Sequence, residues 1–329
     1  MKASTGCIYI AESRPDVASL QIVITFASQA FLSLCLATWF FFVSQNGGLT
    51  INHPQGSVEY DIEVSWIEFV ADLLMMGNDF QMLLGIFYMA HAFFCADDLD
   101  VYHTHLIFDI VSFVGVSNAA ALICWSYSTA KIPAHRSKYG SSSTHNGSDG
   151  RIPRLFLRHL VTCIFGTLFL GLTALVALQL SQWDADAVPG RCYKTNMMGP
   201  LRGHHPTADK LYIAVTAGWL LGVMLTAILA PLSRCRWLLV VAMLQFPVHF
   251  CGMVLLRAAN VPELQGTVVS ENQWDFGETS AVLLLVISLS QVASRGGEFR
   301  RIRRELLGRR ERAGFSARGR EGESREAQA

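Results

Sequence analysis

Seven apolar runs in one chain of 329 residues constrain the fold more than any other feature of this sequence. They lie near residues 21–43, 79–96, 105–127, 158–182, 211–233, 236–256 and 276–294. A helix needs roughly 20 residues to cross the hydrocarbon core of a bilayer, about 30 Å thick, and each run reaches or approaches that length. Helix is the expected form, because lipid offers no partner to backbone N–H and C=O groups and a helix satisfies its own. Residues 21–43 and 160–183 carry no charged side chain at all. The second and seventh runs have shorter uncharged cores, which puts Asp79, Asp97, Glu278 and Arg295 at or near the headgroups. Seven buried helices of a soluble protein would need more polar cover than the sequence supplies. Only 16% of its residues are charged, against about a quarter in soluble domains. The expected fold class is all-α, a polytopic transmembrane helix bundle of about seven spans. A short N-terminal segment covers 1–20, the membrane domain 21–294 and an arginine-rich tail 295–329.

The net charge of zero suggests neither nucleic-acid binding nor an acidic partner, so the position of the charges carries the information. With the N-terminus outside, 19 of the 26 lysines and arginines fall on the inner side and 7 on the outer, a bias that predicts a cytosolic C-terminus. The one glycosylation acceptor, Asn146-Gly147-Ser148, then lies on the inner side and stays unmodified. The first apolar run begins near Leu20 and has the length of a full span, so it is expected to remain as an anchor.

The linkers differ in character. Residues 44–76 turn acidic through Glu59, Asp61, Glu63, Glu68 and Asp72, while Ile62, Trp66, Phe69, Val70, Leu73 and Leu74 recur at helical spacing. An amphipathic helix leading into the second span is expected there. Residues 128–157 are basic and rich in serine and glycine, the composition of a flexible loop. In the tail, Phe299, Ile302, Leu306 and Leu307 form a stripe among Arg300, Arg301, Arg303 and Arg304. This spacing suits a helix over 297–312 lying on an anionic inner leaflet, each arginine contributing about 1 kcal/mol. The expected partners are therefore the lipid bilayer and anionic inner-leaflet lipids.

None of the eight cysteines forms a pair at metal-ligand spacing, so zinc is not expected, and most sit inside spans as small apolar residues. Cys192, in the loop after the fourth span, is expected to pair with Cys95 or Cys7 on the same membrane side. No nucleophile elbow, phosphate loop or dinucleotide fingerprint is present, and no cofactor is expected. Asp97, Asp98 and Asp100 could as clustered carboxylates bind a hard cation, but an exposed acidic turn is the expected reading.

An ionisable group in hydrocarbon costs several kcal/mol unless paired or hydrated, so intramembrane polar residues are the candidates for function. They are His91 midway along the second span, Asp109 just inside the third and His249 near the middle of the sixth. His105, Asp109 and Ser112 share one helix face. A paired histidine and carboxylate facing a cavity could relay protons or hold a cation; the same groups could instead bond between helices and serve packing alone. Pro247 should kink the sixth span beside His249. Gly218 and Gly222 make a small-xxx-small pair suited to close helix approach.

Four short elements stand in order at span boundaries: Asn78-Asp79-Phe80-Gln81 followed by Gly85; Val101-Tyr102-His103 followed by Asp109-Ile110-Val111-Ser112-Phe113; Pro189 to Cys192; and Glu271-Asn272-Gln273-Trp274-Asp275-Phe276-Gly277. In these elements, which extend over most of residues 77–294, the chain resembles fungal multi-pass membrane proteins of unknown function. It departs from them in the third span, where Ser117-Asn118 stands in place of a Thr-His pair. The resemblance implies an architecture and no activity. Three classes follow: a receptor-like or membrane-organising protein first, a transporter or channel using His91, Asp109 and His249 second, and an intramembrane enzyme last, since no nucleophile and base can be assembled.

Overall fold

A computed structural model describes residues 19–43, 53–54, 57–131, 154–181, 206–229, 235–264 and 276–326. Its seven helices are α1 (Leu20–Val43), α2 (Val58–Phe94), α3 (Val101–Lys131), α4 (Arg154–Ser181), α5 (Thr207–Leu229), α6 (Cys235–Leu264) and α7 (Phe276–Glu326). Among the described residues six helices, α1 to α6, are long and apolar enough to cross a membrane. The outward faces of these helices carry exposed leucines and phenylalanines such as Phe31, Leu83, Phe87, Leu170, Leu225 and Leu244, a surface that only lipid tails can cover at low cost. The chain is a multi-pass integral membrane protein.

The bundle is a closed ring with an axle. Helices α1, α2, α4, α5 and α6 each touch the next and α6 returns to α1, while α3 contacts all five. Residues 101–124 of α3 are buried without exception. A helix that is apolar on every side fits either lipid or the centre of a bundle, and α3 takes the centre. Helix α7 lies outside the ring against α1 and α2.

Side-chain pairs fix the register. Phe26 meets Tyr88 and Trp39 meets Trp66, so α1 and α2 run antiparallel over the whole of α1. Phe108 stacks on Phe169 near one end of α3, and Arg158 lies over Trp125 near the other, which makes α3 and α4 antiparallel. Trp39, Trp66 and Trp125 thus occupy one level, the placement of an interfacial aromatic belt. Two glycines permit the closest approaches: a Cβ on Gly115 would lie 2.6 Å from Leu220 Cδ2, and one on Gly85 would lie 3.0 Å from both Phe165 and Val114.

Several expectations need revision. The amphipathic stretch and the second span are one helix, capped by the Ser57 side chain, and Asp79 sits opposite the middle of α1 rather than at the headgroups. The Asn78-Asp79 pair splits the apolar run in sequence; in the helix Asn78 is buried and Asp79 is exposed where a cavity between α2, α3 and α4 opens. Gly218 and Gly222 face outward with nothing within 4 Å of an added Cβ, so the close contacts fall at Gly85 and Gly115 instead. The tail does not begin a separate helix at 297: α7 is continuous for 51 residues, and Phe299 is packed against Trp66 at 4.2 Å and Phe69 at 4.9 Å. Asp100 is no exposed acid but caps α3, its Oδ1 accepting the backbone N–H of His103 at 2.7 Å and contacting the His103 ring at the same distance.

Candidate functional site

Central helix α3 carries eight buried polar side chains among the described residues: His103, Thr104, His105, Asp109, Ser112, Ser117, Asn118 and Ser128. Buried polar groups of this kind are satisfied chiefly by partners within the protein. The densest group forms around Asp109. From α6, His249 Nδ1 lies 2.9 Å from Asp109 Oδ1, and from α5 the Tyr212 hydroxyl donates to the same oxygen at 2.7 Å while standing 3.0 Å from His249 Nδ1. Asp109 and His249 are both 0% exposed, so one carboxylate joins three helices without solvent.

Gln245, one turn before His249, fixes the histidine's state. Its Nε2 donates to the Thr216 carbonyl at 3.0 Å and lies 3.3 Å from His249 Nε2. An amide nitrogen has only hydrogens to offer, so His249 Nε2 presents its lone pair and Nδ1 carries the hydrogen that Asp109 accepts. Asp109 thereby accepts two bonds at Oδ1, from Tyr212 and His249. Its second oxygen accepts none and faces His105 Nε2 at 3.9 Å, the contact expected of residues four apart on one helix.

Of the three intramembrane residues singled out from sequence, the fold brings two together. His91 does not join them: it lies in the last turn of α2, where its Nδ1 is 3.8 Å from Cys95 Sγ. Tyr212, Gln245 and Thr216 were not anticipated. Gln245 stood four residues from His249 in the sequence and could have been found by that spacing; Tyr212 offered no such signal, since its partners are remote in the chain. A second polar contact was also missed. Asn118 Oδ1 accepts from Asn78 Nδ2 at 2.9 Å, with Thr162 Oγ1 3.4 Å from the Asn118 amide, tying α3 to α2 and α4. The cation alternative for the aspartate turn gains no ligand set, since no group of three His, Cys, Asp or Glu side chains poised for a metal occurs among the described residues. Cys7 and Cys192 lie outside the described residues.

No family model, curated protein or solved structure matches this chain.

Proposed function

We propose that this chain is a receptor-like or membrane-organising protein with seven spans, its N-terminus outside and its C-terminus cytosolic, in which the Asp109 cluster locks α3 to α5 and α6. The carrying observation is enclosure: Asp109 and His249 are fully buried and hydrogen-bonded, rather than spaced along a wet path. Intramembrane bonds of this kind hold helices in register. The kinship with fungal multi-pass membrane proteins draws support from where the shared residues sit. Asn78, Gln81, Tyr102, His103, Asp109 and Ser112 are all buried on α2 and α3, so the motif residues belong to the helix contacts that define the bundle. The orientation rests on the lysine and arginine bias and is consistent with the antiparallel packing of α1 on α2 and of α3 on α4.

A transporter is the second reading, favoured by the direct Asp109–His249 contact, which is the pair a proton relay would use. Purified protein in liposomes separates the two. The lock predicts no proton or cation flux above that of empty liposomes, and an Asp109→Asn variant that is less stable but equally silent. Gradient-driven flux that Asp109→Asn abolishes would establish the transporter and overturn the lock.

A further inference from the structure

Between α2, α3 and α4 lies a cavity of about 580 Å³, within the span of roughly 300–1,000 Å³ common for ligand sites. Asp79 is exposed to it although it stands opposite the middle of α1, a depth at which a charge is costly unless paired or hydrated. The opposite charge is Arg158 of α4, which lines the same cavity and acts on Asp79 electrostatically. The two do not close into an ion pair; the guanidinium instead rests 5.7 Å from the centre of the Trp125 ring. Beside Asp79, Asn78 Oδ1 is buried and accepts no hydrogen bond, its amide nitrogen being committed to Asn118. The wall therefore offers one charged acceptor, a second unused acceptor just beneath it, and across a gap a single cation.

The mouth of the cavity tells where its occupant comes from. Leu83, 67% exposed, and Ile86 line it on the lipid-facing surface of the bundle, so the ligand arrives through the bilayer and has an apolar part. A ligand that meets every group carries an ammonium with N–H donors, an anion and a chain. We propose that this cavity binds a phospholipid of the ethanolamine type. The primary ammonium donates to the Asp79 carboxylate and Asn78 Oδ1, the phosphate lies on the Arg158 guanidinium, and an acyl chain runs along Leu83 and Ile86. Guanidinium suits phosphate because its planar fork can bond two oxygens at once. A choline head has the same charges without an N–H, and a glycerol head has no cation, so the two acceptors select between lipids that the membrane offers together. This proposal is independent of the Asp109 lock.

The full-length protein, reconstituted in nanodiscs of phosphatidylcholine with minor fractions of phosphatidylethanolamine and phosphatidylglycerol, can be released and weighed by native mass spectrometry. The expected result is one retained phosphatidylethanolamine per chain, with retention reduced about tenfold by Asp79→Asn and by Arg158→Gln, the scale of losing one charge-assisted contact. Leu244→Ala, on the lipid-facing side of α6, should change nothing. Asp79→Glu keeps the charge, so a head-group photoprobe should still label α2 and α4 in that variant even if Asp79→Asn does not fold. Equal retention of choline and ethanolamine lipids, preference for phosphatidylglycerol, retention indifferent to both charge-removing variants, or no retained lipid would each overturn the proposal.

Discussion

Removing one hydroxyl from the Asp109 cluster gives the sharpest test of the lock. In Tyr212→Phe the ring stays and the donor to Asp109 Oδ1, at 2.7 Å, is lost. A hydrogen bond to a charged group contributes about 1.5–3 kcal/mol in soluble proteins. Cycles within membrane bundles average about 0.6 and reach about 1.7 kcal/mol, because the unfolded helices also find partners. Here Asp109 is wholly buried, so the upper end applies and the expected loss is about 1.5 kcal/mol. In an Asp109→Asn background the same hydroxyl meets a neutral acceptor, and Tyr212→Phe should then cost only about 0.5 kcal/mol. The coupling of about 1 kcal/mol is what a double-mutant cycle would read from reversible unfolding in mixed micelles. Equal costs in the two backgrounds, or a first loss below about 0.3 kcal/mol, would show that the 2.7 Å contact does not hold α5 to α3.

Other substitutions follow from the same packing. Gly115→Ala drives a methyl to 2.6 Å from Leu220, itself fully buried, and should destabilise by about 1–3 kcal/mol in the same unfolding assay. Gly218→Ala meets nothing within 4 Å and should be neutral or stabilising by up to about 1 kcal/mol through helix propensity. Phe299→Ala removes the contacts to Trp66 and Phe69; the arginine-rich half of α7 should then be cut much faster by trypsin, whereas unchanged cleavage would mean that the aromatic contact does not anchor it. For the orientation, Asn146 should carry no glycan, and a glycosidase-sensitive mass shift lost in Asn146→Gln would invert the inner linker.

The helices were legible because hydropathy and length are properties of single segments, and the first, third and fourth spans appear close to where the apolar runs stop. Their arrangement was not. Hydropathy scores a leucine equally against lipid or protein, so nothing local marked α3 as the axle and α7 as peripheral. The break at Asn78-Asp79 illustrates the limit: two polar residues look like a span end until the cavity they face is known. Likewise Asp109 and His249 stood out individually because ionisable groups are scarce in spans, but their meeting through Tyr212 depends on three helices far apart in sequence. His91 carried the same sequence signal and lies elsewhere, which shows that burial of a histidine in an apolar run does not reveal its neighbours. The Ser117-Asn118 pair, notable in sequence as a departure, proves to be a helix contact through Asn118.

Whether the cluster is closed to water decides between lock and conduit, and Ser112 offers the most direct probe. It is 0% exposed, three residues beyond Asp109, with its hydroxyl bonded to the Phe108 carbonyl. With the native cysteines replaced, Ser112→Cys can be challenged in sealed vesicles of either orientation by a small charged thiosulfonate reagent. The account predicts modification only after the bundle is unfolded; rapid modification of the native protein from one or both sides would contradict it.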